Sequence, residues 1–205
     1  MSIRPKKVRL CRQLGMNVVG THQDPLGRRQ NPPGQHGGNM FRHRKASDHK
    51  VRLLEKQRLR FLYNLREKQF AKYVHQAKRG RGSSEENLIR LLETRLDTVV
   101  QKSGFARTQR EARQLVVHGH FHVNGRRVDR PSYGVRTGDV VTLKPPSRKK
   151  TYFVEKATEV FGRSTPGWLV VNKEKWSCSI HRDPTMEDVP LIAELNLGFI
   201  MEFYA

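Results

Sequence analysis

Acidic residues are scarce in this chain of 205 residues. Lys and Arg together number 40 and Asp and Glu together 19, which gives a formal net charge of +21 at pH 7. So large an excess of positive charge points to a polyanionic partner. The few carboxylates offer no pair suited to acid/base catalysis, and motifs for a serine nucleophile, a phosphate loop or a dinucleotide site are missing. We therefore do not expect an enzyme.

Long apolar runs are also missing. No stretch approaches the roughly 18 consecutive apolar residues that a membrane-spanning helix needs, and no lipidation motif is present. The N-terminal residues 1–10 contain no apolar signal core. We therefore expect no membrane partner, and nucleic acid becomes the expected polyanion.

Cysteine is equally rare, because Cys11 and Cys178 stand alone and far apart. This spacing excludes a disulfide framework and a four-thiolate zinc site, and it is typical of a reduced, intracellular protein. The run His118-Gly119-His120-Phe121-His122 has no cysteine or carboxylate nearby at ligand spacing. We expect neither a metal nor a cofactor, and favour hydrogen bonds from these histidines to phosphate or a ribose 2′-hydroxyl.

The positive charge is unevenly distributed along the chain. Residues 1–81 carry a net charge of +17, residues 82–146 carry +4, and residues 147–205 carry zero. Residues 1–47 show little hydrophobic periodicity and many Gly and Pro, so this segment should order only on a partner. Two interpretations stay open: a flexible basic tail, or a compact loop whose glycines let the backbone approach phosphate closely.

The stretch 104–128 contains a helix with both ends marked. Thr108 and Glu111 form a capping box, so the helix should begin at Gln109. Gly119 is placed to end it in a left-handed conformation. The apolar residues of this helix share one face, and the polar residues expected on another face are Arg110, Arg113 and Gln114.

A hairpin should follow this helix. Residues 120–123 alternate with the period of a strand, and Asn124-Gly125 is typical of a type I′ turn. Arg107 precedes the helix, and Arg126 and Arg127 follow the turn. Guanidinium groups on one side of a compact helix and hairpin suit a phosphate backbone. The alternative is an ordinary amphipathic helix with solvated arginines, which the composition disfavours.

Other elements follow from hydrophobic spacing. Helices are predicted at about 48–63, 66–78 and 83–104, the first capped by Ser47 and separated from the second at Asn64. A strand is predicted at 139–143. In the tail we predict a helix near 151–161 and strands at 168–171 and 197–204.

Several motifs resemble those of the S4 RNA-binding domain. They are Arg95-Leu96-Asp97, Gly104-Phe105-Ala106-Arg107-Thr108, residues 112–116, His118-Gly119-His120 and Val123-Asn124-Gly125. The flanks resemble the bacterial-type small-subunit ribosomal protein S4 family, through residues 33–37, Ser47-Asp48, 55–57, 59–61, Tyr63, 67–70, 131–133, 138–140 and 200–204. The resemblance covers nearly the whole chain, and the flanks make it specific, because RNA-modifying enzymes share the middle module.

The resemblance implies an α+β fold. A mainly helical first domain would carry an inserted small α+β RNA-binding module, made of two helices plus antiparallel strands, and a C-terminal tail would return to the first domain. The expected divisions are a basic Gly/Pro-rich extension at 1–47, a helical hairpin at 48–82, the module at 83–146 and the C-terminal segment at 147–205.

The resemblance also implies a function. The chain would be a structural constituent of the small ribosomal subunit that binds a multi-helix rRNA junction and nucleates assembly of the 5′ domain. It would lie beside ribosomal protein S5 and near the channel through which mRNA enters, contributing to translation accuracy. We expect a cytoplasmic ribosome in preference to an organelle ribosome, and no stable homo-oligomer.

The family motifs imply two groups of contact residues. Those expected to bind rRNA are Arg95, Arg107, Thr108, Arg110, Arg113, Gln114, His118, His120, Asn124, Gly125, Arg126, Gly34, Gln35, His36, Gly37, Lys56 and Arg60. Those expected to face mRNA are Arg42, Arg44, Lys45 and Lys50. The chain departs from the family at His122, usually apolar, and at Asn64, commonly glycine, and residues 1–30 lack the cysteine cluster of zinc-bearing members.

One alternative function stays open at this point. An RNA-modifying or ribosome-rescue protein could use an S4 module to reach its RNA. A modifying enzyme would need a catalytic domain, and the 59 residues after position 146 are too few for a typical one. A rescue protein would not need the long basic N-terminal third.

Overall fold

A computed structural model describes residues 6–20, 25–35, 47–155 and 165–205. Its α-helices are α1 Lys7–Leu14, α2 Pro25–Arg28, α3 Asp48–Leu62, α4 Glu67–Arg79, α5 Ser84–Glu93, α6 Leu96–Lys102, α7 Gln109–Val117, α8 Pro145–Arg148, α9 Pro190–Ala193 and α10 Leu197–Phe203. Its strands are β1 Phe121–Val123, β2 Arg126–Arg127, β3 Val140–Leu143, β4 Leu169–Asn172 and β5 Ser177–Ile180, and a 3-10 helix spans Met186–Asp188.

Two hydrophobic cores organise these elements. The first is helical and is formed by α1, α3, α4, α5, α9 and α10, with buried side chains that include Leu10, Leu59, Phe70, Leu88 and Ile200. The second lies between a sheet and the helices α6 and α7, with buried side chains that include Val99, Val116, Phe121, Val141 and Trp168. Burial of these apolar side chains is the main stabilising term in both cores.

The sheet is antiparallel, with strand order β2-β1-β3-β5-β4. Strand β5 pairs with β3 and places Cys178 opposite Val141. The C-terminal segment therefore serves both cores: its strands extend the sheet, and its last helices return to the helical core. The expected α+β fold is confirmed, and so is the expected strand near residues 168–171.

The predicted helices of the first core agree with the structure. The Ser47 side chain accepts a hydrogen bond from the backbone N–H of Lys50 at 3.4 Å, which caps α3. Asn64 separates α3 from α4 in a left-handed conformation, with φ of 51°. This conformation fits the glycine that is common there in the family.

The single helix predicted over residues 83–104 is wrong, because the structure contains two helices. Arg95 is extended between them and bridges to Gly134, and the N–H of Leu96 donates to the carbonyl of Tyr133 at 2.8 Å. These contacts come from a loop about forty residues away, so helical spacing alone could not reveal the break. As a result, α5 packs with α4 in the helical core, although the expected module began at residue 83.

The strand predicted at residues 197–204 is also wrong, because these residues form helix α10. The Asn196 side chain accepts a hydrogen bond from the N–H of Phe199 at 3.2 Å and so caps the helix. Leu197 and Ile200 lie on one helical face and are buried in the first core. The helix predicted near 151–161 is present at residues 151–155, and its remainder lies outside the described residues.

Candidate nucleic-acid interface

Helix α7 begins at a capped N-terminus that fixes the first arginine of the site. The Thr108 hydroxyl accepts from the N–H of Glu111 at 3.3 Å, as the capping box requires. In a capping box the Glu111 carboxylate would accept from the N–H of Thr108. Here it accepts instead from the N–H of the preceding residue, Arg107, at 2.7 Å. The helix buries Ala112 and Val116 against the sheet, so its arginines lie on the remaining surface.

The C-terminus of α7 and the hairpin are joined through Gly119. Its φ is 70°, as the sequence predicts. A Cβ at this glycine would lie 2.6 Å from Nε of Arg127, so the guanidinium lies against the end of the helix. Asn124 and Gly125 both have positive φ, which confirms the type I′ turn. The Asn124 side chain donates to Asp139 at 2.8 Å and thereby ties the hairpin to the start of β3.

Most of the predicted rRNA-contact residues lie together on α7 and the hairpin. The exposed ones are Gln114, His118, Asn124, Gly125 and Arg126. The partly buried ones are Arg107, Thr108, Arg110, Arg113 and His120. We call these ten residues the α7 surface.

His120 lies on the α7 surface in a partly apolar setting. Its Nδ1 is 2.8 Å from the Ser147 hydroxyl. Burial lowers the pKa of His120 below its usual range, and the nearby Lys150, His118 and Lys144 lower it further. The ring is therefore neutral at pH 7 and offers hydrogen bonds instead of charge.

Arg95 does not lie on the α7 surface. Its side chain is buried and makes two hydrogen bonds to Asp97, at 2.9 and 2.7 Å, and a third to the Tyr73 hydroxyl at 2.5 Å. A guanidinium whose donors are used within the chain and shielded from solvent is not available to RNA. Arg95 instead links α4 of the helical core to the start of α6.

The same buried carboxylate also holds Arg113. Nη1 of Arg113 is 3.6 Å from Oδ2 of Asp97, and the arginine side chain is 33% exposed. Burial raises the pKa of Asp97, whereas the two arginines oppose that change. One side of Arg113 is thus anchored and the other is open to a ligand.

Lys56 differs from the sequence-based expectation. Lys56 is 5% exposed, forms an ion pair with Glu67 at 2.9 Å and lies 4.2 Å from the centroid of the Phe203 ring. Its ammonium is therefore enclosed by the C-terminal residues and cannot contact RNA. Arg60 is partly buried and donates to Gln57 at 2.8 Å.

Part of the segment 1–47 is folded without RNA, so the prediction that it orders only on a partner is wrong for α1, which buries Leu10, Cys11 and Leu14 in the first core. The Arg12 guanidinium donates to the carbonyls of Asn31 at 2.8 Å and Pro32 at 3.3 Å, which ties residues 31–35 to α1. This contact supports the compact-loop interpretation for those residues. Gly34 and Gln35 are exposed, as is Lys50 in the first turn of α3. Several predicted contact residues lie outside the described residues: His36, Gly37, Arg42, Arg44 and Lys45.

A cleft of about 850 Å³ runs beside α4, and sequence reasoning missed it. Its lining residues are Gln69, Lys72, Tyr73, His75, Gln76, Arg79 and Ser132. Hydrophobic spacing could not indicate this cleft, because Ser132 faces α4 from a distant part of the chain. The cleft is linked to the α7 surface by contacts that run from Tyr73 through the buried Arg95 and Asp97 to Arg113.

Within the described ranges, His, Cys, Asp and Glu do not gather into a group of three or more that could hold a metal ion. No helix there combines the length and apolar character needed to cross a membrane. The arrangement offers cations and hydrogen-bond donors on a rigid scaffold, which is the chemistry of phosphate recognition.

Comparisons with known proteins cover both cores. Residues 3–93 match the family described as Ribosomal protein S4/S9 N-terminal domain, and residues 94–141 match the S4 domain. The Small ribosomal subunit protein uS4 of Aquifex aeolicus (strain VF5) is 44% identical over 201 residues, which cover 97% of this chain and 95% of that protein. The uS4 protein of Methylorubrum populi (strain ATCC BAA-705 / NCIMB 13946 / BJ001) is 43% identical over 200 residues, covering 97% and 96%. The chain belongs to the uS4 family.

Membership in the uS4 family makes this chain a structural protein of the small ribosomal subunit and not an enzyme. It also implies that the chain binds small-subunit rRNA within the ribosome. The two uS4 family matches meet between residues 93 and 94, where α5 ends. This division coincides with the change from the helical core to the sheet core.

Proposed function

We propose that this uS4 protein binds a multi-helix junction of small-subunit rRNA and so nucleates assembly of the 5′ domain. The observation that carries the proposal is that side-chain contacts from Tyr73 through Arg95 and Asp97 to Arg113 link two basic surfaces, the cleft beside α4 and the α7 surface, although they belong to different cores. Phosphate contacts made from two rigid surfaces fix the orientation of a ligand that reaches both.

Two linked surfaces favour a junction over a single RNA helix. In A-form RNA the base edges are difficult to reach in the deep major groove, so proteins recognise such RNA by its shape and its backbone. The buried Arg95 ties Tyr73 in the cleft to Asp97 beneath Arg113, which keeps the spacing of the two surfaces constant. RNA helices that meet at an angle can present phosphates to both surfaces at once.

The test compares two RNAs of equal length, a multi-helix junction fragment of the 5′ domain and a straight duplex, at one salt concentration. We expect the full chain to bind the junction more tightly. The double variant Lys72→Ala, Arg110→Ala, which removes one cation from each surface, should lower junction affinity more than duplex affinity. Equal affinity of the unchanged protein for both RNAs would overturn the proposal.

A second part of the proposal concerns the side of the protein near the start of α3. Lys50 is exposed there and follows the basic residues of the preceding segment. We propose that this region lies near the channel through which mRNA enters, beside ribosomal protein S5, and contributes to accuracy. A photocrosslinker at Lys50→Cys in assembled subunits should label mRNA, with Lys175→Cys as the control position. Labelling of mRNA from neither position, or equally from both, would refute this part.

A further inference from the structure

One face of α4 carries amide and cationic side chains in alternation. Gln69, Lys72, Gln76 and Arg79 follow one another at helical spacing, and all four line the cleft beside α4. Gln69 is partly buried and the other three are exposed. In the described part of the chain, these four side chains form no hydrogen bond or ion pair with other residues. Their donors, acceptors and charges are therefore available to a ligand in the cleft.

The wall that faces α4 is held in place by backbone hydrogen bonds. Ser132 lies between two residues whose carbonyls accept from the start of α6. The N–H of Leu96 donates to the carbonyl of Tyr133 at 2.8 Å, and the N–H of Asp97 donates to that of Pro131 at 3.2 Å. On the other side, α4 is fixed because its opposite face is buried in the first core. The cleft is thus formed before a ligand arrives, which lowers the cost of binding.

We infer that the cleft beside α4 binds an unpaired strand of the rRNA junction and that its amide groups read base edges. The inference rests on the proposed function and names the part of the junction that enters the cleft. An amide side chain offers a donor and an acceptor side by side, which is the arrangement that pairs with the edge of a base. Unpaired bases expose these edges, and sequence-specific RNA recognition commonly uses them.

The order of side chains along α4 suits a single strand. Lys72 and Arg79 are seven residues apart, about 10.5 Å along the helix axis, so they can contact different phosphates. Gln76 lies between them on the same face and can meet a base between those phosphates. Phosphate contacts from the cations would position the strand, and the amides would add base specificity.

Size and chemistry disfavour other occupants of the cleft. A volume of about 850 Å³ is that of a small-molecule pocket and suits roughly one or two nucleotides, not a double helix. A duplex would also keep its base edges in a deep, narrow groove, out of reach of the amides. An acidic peptide could pair with Lys72 and Arg79, but RNA is favoured because the cleft is linked through Tyr73 and Arg95 to the α7 surface.

The first experiment measures base discrimination with single-stranded RNA. Homopolymers of adenosine, cytidine and uridine of equal length are titrated into the full chain at one salt concentration and followed by fluorescence anisotropy. Each good amide–base pair discriminates strongly, so we expect the best and the worst homopolymer to differ about tenfold in affinity. Equal affinities for the three would overturn the inference. So would displacement of the best homopolymer by an oligoglutamate of equal charge, which would indicate an acidic peptide.

The second experiment removes the amides and keeps the charges. In the double variant Gln69→Met, Gln76→Met, side-chain length and helix propensity are retained. Its affinities for the three homopolymers should become equal, whereas its melting temperature should stay close to that of the unchanged chain. Gln101→Met is the matched control, because Gln101 is a partly buried glutamine on α6 and does not line the cleft. If the double variant discriminates between bases as well as Gln101→Met does, the inference fails.

The third experiment returns to the rRNA junction fragment, with its unpaired linking nucleotides made abasic. The unchanged protein should bind this RNA about tenfold less tightly than the intact junction. The double variant should bind both RNAs equally. If the intact junction is preferred over the straight duplex but the abasic change has no effect, the inference fails and the proposed function stands. The proposed function itself fails if the unchanged protein does not prefer the intact junction over the duplex.

Discussion

One buried carboxylate, that of Asp97, holds two of the arginines that the sequence suggested for rRNA binding. Asp97 makes two hydrogen bonds to Arg95, which is then unavailable to a ligand, and lies 3.6 Å from Arg113, which stays partly exposed. The sequence suggested that all three of Arg95, Arg110 and Arg113 bind rRNA. Residue spacing could not separate them, because burial of Arg95 depends on Tyr73, twenty-two positions away, as well as on Asp97.

Arg110→Ala and Arg113→Ala should therefore differ in their effect on stability. Both variants are expected to weaken rRNA binding, since each removes a cation from the α7 surface. Arg113→Ala should also destabilise the protein by about 0.5–1 kcal/mol, because Asp97 loses one of its charged neighbours in a buried site. Thermal unfolding measures this difference, which corresponds to roughly 1–4 °C in Tm. Equal melting temperatures for the two variants would mean that Asp97 does not anchor Arg113.

His120 should make the stability of the free protein depend on pH. Because the pKa of His120 is lowered in the folded protein, the unfolded chain binds the proton more readily below the ordinary value of 6.5. The stabilising contribution of the neutral ring is thus complete above pH 6.5 and is lost as the pH falls towards the folded-state pKa. The midpoint of denaturant unfolding should fall between pH 8 and pH 5, and it should fall less in the His120→Gln variant than in the unchanged protein. An unchanged pH profile in that variant would contradict the assignment.

At the scale of elements, local signals predicted α7 and its hairpin correctly. Thr108, Gly119 and Asn124-Gly125 act within a few residues of their own position, so they are readable from the sequence. The break between α5 and α6 and the helix α10 were not readable in this way. The break depends on backbone hydrogen bonds to the 131–135 loop, and the apolar run at 197–204 suits either a strand or a helix until its packing on the first core is known.

Gly119→Ala should lower both the stability of the protein and its affinity for rRNA. Alanine at φ 70° costs about 1–2 kcal/mol, and its Cβ would displace the guanidinium of Arg127. Gly138→Ala is the matched control, because its φ is 91° but a Cβ there meets no other described residue within 4 Å. Both variants should lose stability, and only Gly119→Ala should lose rRNA affinity under conditions where both are folded. Equal affinities would show that the position of Arg127 does not matter.

For the whole molecule, the sequence predicted the sign and the general location of the charge. It did not predict which charged side chains line a surface and which are enclosed. Composition alone indicated a polyanion, and the family motifs led to the α7 surface. The cleft beside α4 and the enclosure of Lys56 depend on contacts between distant segments, α4 with Ser132 and α3 with the C-terminal Phe203. Such contacts exist only after both cores have folded, so no local pattern in the chain encodes them.

The salt dependence of rRNA binding can show whether affinity depends on the charges of the α7 surface or on the net charge of the whole protein. Each phosphate contact contributes about −0.7 to −0.9 to the slope of log affinity against log salt, since each neutralised phosphate releases counterions. Arg110→Ala should therefore make the slope for the rRNA junction less negative by about this amount. Lys175→Ala removes the same charge from the turn between β4 and β5, at the opposite end of the sheet from the hairpin, and should leave the slope unchanged. If both variants change the slope equally, binding follows the net charge of +21 and the α7 surface is not the interface.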